Sequence, residues 1–262
     1  MCRLLGFLLA GAVLYPPSPA HANDPATPPG RQLIDPLTTR DHLPLRLDWD
    51  TQIGGFDEGK RQTLAVEPVF SFGEGSGRWV SRTLLPLIRE DGVDPDDRVQ
   101  TGMGDLLQTL YYVPASVARD DGFHWGVGAT LRAPTASDDA LGEDEWALGP
   151  AFAAAWIGRR WSWGAQVQHL QAIGGDSDDD PDRNYTLLAP FAARDLSDDW
   201  SVGVQVDAAY DWQRDRIKGP LTLYARRAGE AFAFDAGFRY WIDGPTEEPE
   251  WGVRLGLTWI LD

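Results

Sequence analysis

Between Trp200 and Trp212 the side chains fall alternately into two sets. Trp200, Val202, Val204, Val206, Ala208, Tyr210 and Trp212 are apolar or aromatic, whereas Ser201, Gly203, Gln205, Asp207, Ala209 and Asp211 are small, polar or acidic. A period of two predicts a β-strand, whose successive side chains leave on opposite faces. The run exceeds the about 5–6 residues of a typical soluble strand. It is long enough for a tilted membrane-crossing strand, which needs about 9–11 residues. Aromatic rings at its two ends suit the lipid–water boundaries.

The pattern recurs along the chain and predicts strands over 43–54, 62–72, 79–88, 103–113, 123–133, 145–157, 160–172, 184–194, 199–212, 217–227, 231–242 and 250–261. In 231–242 the residues Phe232, Phe234, Ala236, Phe238, Tyr240 and Ile242 share one face against Asp235, Gly237 and Arg239. In 250–261 the residues Trp251, Val253, Leu255, Leu257, Trp259 and Leu261 alternate with Gly252, Arg254, Gly256 and Thr258. An even number of such strands fits a single-chain outer-membrane barrel with both ends in the periplasm. The connections agree. Gly55–Arg61, Arg89–Thr101, Thr135–Asp144, Ile173–Arg183, Gln213–Arg216 and Asp243–Pro249 are mostly long and acidic; those between them, such as Gly158-Arg159 and Leu196–Asp198, are short, with Pro114–Gly122 the exception. Long outer loops and short periplasmic turns are the habit of these barrels. A soluble sandwich has no reason to separate its loops this way.

Residues 1–22 read as a signal peptide: Arg3, an apolar run Leu4–Leu14, and Ala20-His21-Ala22 before the cut. Residues 23–42, with Pro25, Pro28, Pro29 and Pro36, read as a Pro-rich extended periplasmic lead without a core role, and 43–262 as the barrel. The lone cysteine, Cys2, is lost with the signal, so the mature chain has no thiol chemistry. A net charge of -17 argues against a nucleic-acid partner. Beyond the signal no apolar run reaches the length of a spanning helix. A mean hydropathy of -0.32 does not oppose a barrel, because alternate strand positions line a lumen and accept charge.

With the aromatic face outward, the inner face carries Glu67, Asp105, Asp207, Asp211 and Asp235 together with Arg82, Arg132, Lys218, Arg226, Arg239 and Arg254. Such groups either pair across strands and fill a narrow lumen or line a polar path that sets solute selectivity. Gln108, Gln166, Gln168, Gln205 and Tyr224 add hydrogen-bonding groups to the same face. Asp176, Asp178, Asp179, Asp180 and Asp182 supply hard oxygens, but EF-hand spacing is absent, so a solvated loop near lipopolysaccharide is the reading and no metal site is assigned. His42, His124 and His169 occur in no His-x-Ser, Gly-x-Ser-x-Gly or His-Glu-x-x-His pattern, so no catalytic residue and no cofactor are assigned.

Gly102-Met-Gly-Asp105, Tyr111-Tyr112, Trp125-Gly-Val-Gly128, Ala133-Pro-Thr-Ala-Ser-Asp-Asp-Ala-Leu-Gly142, Trp146-Ala-Leu-Gly-Pro150, Ala209-Tyr-Asp-Trp212 and Trp251-Gly-Val-Arg254 resemble the blocks of the bacterial "meta-pathway of phenol degradation" family. The resemblance spans about 45–262. It implies an outer-membrane barrel engaged in uptake of small compounds, aromatic ones among them, and supplies no agreed functional residues. The chain departs from the usual barrel in ending Trp259-Ile-Leu-Asp262 rather than on an aromatic residue. The leading expectation is passive diffusion of a small solute through a narrow mixed-charge lumen. A plugged barrel acting through its acidic outer loops, and an outer-membrane enzyme, are the alternatives. The expected partners are outer-membrane lipid and lipopolysaccharide, the solute, and the barrel-assembly machinery during biogenesis.

Overall fold

The computed structural model describes residues 29–53, 59–93, 99–117, 121–175, 184–241 and 248–261. A helical turn α1 (Pro29–Gln32) precedes β1 (His42–Ile53), β2 (Gly59–Val66, resumed as Val69–Phe72), β3 (Gly77–Asp91), β4 (Gln100–Met103, resumed as Leu106–Pro114), β5 (Gly122–Ala133), β6 (Glu145–Ile157), β7 (Trp161–Gly175), β8 (Asn184–Asp195), β9 (Trp200–Val206, resumed as Ala208–Asp211), β10 (Arg216–Lys218, resumed as Pro220–Ala228), β11 (Phe232–Trp241) and β12 (Trp251–Ile260). Each predicted span overlaps one of these strands. Every strand pairs antiparallel with its sequence neighbours, and β12 returns to β1 from Thr51↔Trp251 to His42↔Ile260, which closes a 12-strand barrel. The breaks have local causes. Pro68 has no N–H to give the β2 ladder. In β10, Gly219 stands at φ 135° with a carbonyl of Asp207 where a Cβ would sit.

The outer face is apolar and carries aromatic rings at both ends. Phe72, Trp79, Phe123, Trp156, Trp161, Trp200, Phe232 and Trp259 ring one rim, and Trp49, Trp146, Trp212, Tyr240 and Trp251 the other; all are exposed. Trp259 stacks on Phe232, ring centres 6.3 Å apart, so it occupies the rim that a terminal aromatic residue would. Gln108 differs from expectation. It shares the outer register with Thr83 and Leu131, and its amide bonds Thr83 and Ser81 at 2.5 and 3.0 Å. The ring-bearing positions around it set the parity, and Gln108 falls on their side.

The segment before β1 also departs from expectation. Residues 1–28, including the predicted signal peptide, lie outside the described residues. From Gly30 onward the lead is not a coreless linker but is folded into the mouth of the barrel where β1 begins and β12 ends. Leu37, 2% exposed, packs with Val69, Val80, Tyr111, Val113, Ala151 and Ala153. Asp35 meets His124 Nδ1 at 2.5 Å, and Arg31 Nε donates to Asp195 at 2.7 Å. Arg82 and Arg226 donate to the carbonyls of Pro36 and Leu33. Inward-facing Gly126, Gly128, Ala151 and Ala153 on β5 and β6 leave the space that Leu37 and Tyr111 occupy.

At the opposite rim, residues 134–144 fold back against β3 and β4. The Asp105 carboxylate accepts the backbone N–H groups of Thr135, Ala136 and Glu143 at 3.2, 3.2 and 2.8 Å. Thr135 Oγ1 donates to the Gly104 carbonyl and accepts from Leu106 N–H, and Ser137 Oγ accepts from Met103 N–H. A Cβ at Gly102 or Gly104 would meet Ser137 or Leu141 of this loop. The Gly-Met-Gly-Asp and Pro-Thr-Ala-Ser-Asp-Asp-Ala-Leu-Gly blocks thus form one interlocked unit.

Two outcomes follow from this architecture. Deleting Leu255–Asp262 removes pairing to both β1 and β11 and leaves two open edges, which lipid cannot satisfy; the deletion is expected to abolish heat-modifiable barrel on gel electrophoresis. Asp105→Ala removes the acceptor of three loop N–H groups, a loss of about 1–3 kcal/mol locally; the barrel is expected to fold while limited proteolysis now cuts within 134–144.

Candidate functional site

The polar register of the strands encloses a cavity of about 730 Å³ in the outer half of the barrel. A second, of about 120 Å³, lies against Leu33, Ile34 and Pro36 of the segment before β1. Arg46, Glu67, Arg82, Gln166 and Gln205 border both, so this level divides the lumen. Here Arg82 Nη2 donates to Glu67 at 2.5 Å, and Arg46 approaches the other Glu67 oxygen at 3.5 Å. Tyr111, fully buried beside this level, accepts from Gln168 Nε2 at 3.2 Å.

Above it a charge ladder crosses β11, β12, β1 and β9. Arg239 contacts Asp50 at 2.7 Å and Asp48 at 3.0 Å. Arg254 donates Nε and Nη2 to the two oxygens of Asp48 at 2.6 and 2.9 Å, and Nη1 to Asp207 at 3.1 Å. The register explains the set: Asp48 lies directly across from Arg254, and Asp50 across from Gly252, whose missing side chain lets Arg239 reach over from β11. Arg61 and Glu90 pair on β2 and β3 at 2.5 Å. Burying a charge is tolerable when it is paired and hydrogen-bonded, and removal of one partner commonly costs about 3–5 kcal/mol.

Of the residues read from sequence as lumen-lining, Glu67, Arg82, Asp105, Arg132, Asp207, Lys218, Arg239 and Arg254 border the outer cavity, and Arg226 and Asp235 border the inner one. Lys218 pairs with Glu248 at 3.0 Å and Arg226 with Asp235 at 3.4 Å. Asp105 and Asp211 take the inward register but do other work. Asp105 is committed to the folded loop. Asp211 accepts the N–H groups of Gln213 and Arg214 and pairs with the Arg214 side chain at 3.2 Å, which caps the β9–β10 hairpin. Arg46, Asp48, Asp50, Arg61 and Glu90 belong to the same set and were missed. For Arg46, Asp48 and Asp50 the signal is present as charge alternating with Leu47 and Trp49 in β1.

The histidines form no cluster. His42 is buried with Nδ1 against the Arg40 carbonyl, His124 holds Asp35, and His169 faces outward against Thr186 and Trp212. The acidic run 176–182, considered for calcium, lies outside the described residues. Among the described residues no group of three or more His, Cys, Asp or Glu is arranged to hold a metal ion.

Comparison with known proteins sets this geometry in context. Solved structures share the fold at low identity. A COG4313 outer membrane channel from Pseudomonas putida F1 matches with a TM-score of 0.65 and 12% identity, over 87% of this chain and 97% of that one. The NanC porin matches at 0.55 and 11% identity, over 84% and 100%. Outer membrane phospholipase A from Escherichia coli matches at 0.54 and 10% identity, over 87% and 93%. No curated protein sequence is a significant match. The sequence signature described as "Putative MetA-pathway of phenol degradation" matches residues 31–257, almost the whole described barrel, and the chain belongs to that family.

Proposed function

We propose that this barrel passes a small solute across the outer membrane by diffusion through its lumen. One observation carries the reading: a vestibule of about 730 Å³ tapers across the Arg46–Glu67–Arg82 level to a cavity of about 120 Å³. The vestibule takes a solute from outside, and the charges at the divide set which ions and polar groups pass. The fold shared with an outer membrane channel and a porin supports the reading. Segment 30–41 narrows the periplasmic exit, held there by the Asp35–His124 and Arg31–Asp195 contacts. That same segment favours the plugged barrel as the second reading.

Planar-bilayer recording separates the two. Discrete current steps are expected from protein that is folded by heat-modifiability, and steady silence overturns the channel reading. Glu67→Gln removes the one carboxylate between Arg46 and Arg82. The remaining positive charge is expected to shift the reversal potential in a salt gradient toward anion preference. Asp35→Ala combined with Arg31→Ala releases two ties of the N-terminal segment and is expected to raise single-channel conductance several-fold. Unchanged conductance would show that the segment does not limit flow.

A further inference from the structure

We propose that Arg132, with Tyr185, is a binding site in the vestibule wall for a small carboxylate carrying an apolar body; this rests on the channel reading for its use, not for its measurement. Arg132 leaves β5 inward, with Leu107 across from it on β4 and Ala147 on β6. The Tyr185 ring comes from β8 and lies 5.7 Å from the guanidinium carbon. Every other described cation bordering the vestibule has a carboxylate: Arg46 and Arg82 share Glu67, Arg61 has Glu90, Lys218 has Glu248, and Arg239 and Arg254 have Asp48. Among the described residues Arg132 has none. Its Nε and Nη2 are both covered by protein and lack a hydrogen-bond partner among those residues.

Those two atoms form one edge of the guanidinium, the fork that matches the two oxygens of a carboxylate. Arg254 shows the filled version in the same lumen, its Nε and Nη2 each donating to one oxygen of Asp48. The acids on the Arg132 side are engaged elsewhere. Asp105 accepts three loop N–H groups, and Glu143 Oε2 accepts the Tyr185 hydroxyl at 3.4 Å. That edge is covered by protein and unpartnered, so a carboxylate entering from the vestibule gains two charge-assisted bonds there once the covering side chain moves aside. Leu84, Leu107, Leu141 and Leu187 border the same cavity and supply an apolar wall for the rest of the ligand.

The test is calorimetric titration of the detergent-solubilised protein with benzoate. Acetate (charge without body), benzyl alcohol (body without charge) and inorganic phosphate serve as comparators. Benzoate is expected to bind more tightly than all three, Arg132→Gln to weaken it at least tenfold, and Arg132→Lys, which keeps the charge but loses the fork, to fall between. Tyr185→Ala is expected to weaken it several-fold. Equal binding of benzoate by folded Arg132→Gln, or by Arg132→Lys should the first variant not fold, overturns the site. So does benzyl alcohol or phosphate binding as tightly as benzoate, or current through a protein that takes up no benzoate. Benzoate binding without current in bilayers would leave the site standing and sink the channel reading.

Discussion

In lipid, a backbone N–H or C=O without a protein partner has no water to turn to. Everything else in this molecule depends on that constraint. It forces the strands to pair all the way round, and the pairing of β12 with β1 completes the circle. Closure in turn creates an inside. The period of two then sends rings and aliphatic chains to the lipid and charges to a lumen only a few side chains wide.

A narrow lumen makes charge pairing compulsory. Most of the inner arginines meet carboxylates from other strands, and two acids serve two cations each: Asp48 takes Arg239 and Arg254, and Glu67 takes Arg46 and Arg82. These contacts brace the wall, which is why a list of inward charges is not yet a list of binding residues. Arg132 stands apart because, among the described residues, no carboxylate pairs with it and the acids beside it are engaged elsewhere.

The two ends of the lumen are closed down by different means. At the periplasmic end a separate stretch of chain enters, and small residues on β5 and β6 make space for it. At the outer end the loop after β5 folds inward because Asp105 gathers its N–H groups. The lumen is therefore a shaped vestibule rather than an open pipe.

Sequence determined a good deal. Alternation located all twelve strands, since each must show one face to lipid and one to the lumen regardless of its neighbours. It also assigns Arg132, Asp207, Arg239 and Arg254 to the inner face, where they border the outer cavity, and loop length separates the two rims. What it left open depends on register and on contacts distant in sequence. That Arg239 reaches Asp50, 189 residues away, or that Asp35 meets His124, 89 residues away, is decided by which residues barrel closure brings face to face. The Pro-rich lead looked like a linker because its few apolar residues, Ile34 and Leu37 among them, have no periodicity of their own; the cavity they fill exists only once the barrel has formed. Asp105 and Asp211 read as lumen charges because parity fixes the direction of a side chain but not whether a backbone N–H is waiting there. One-dimensional pattern specifies faces, and only the closed three-dimensional wall specifies partners.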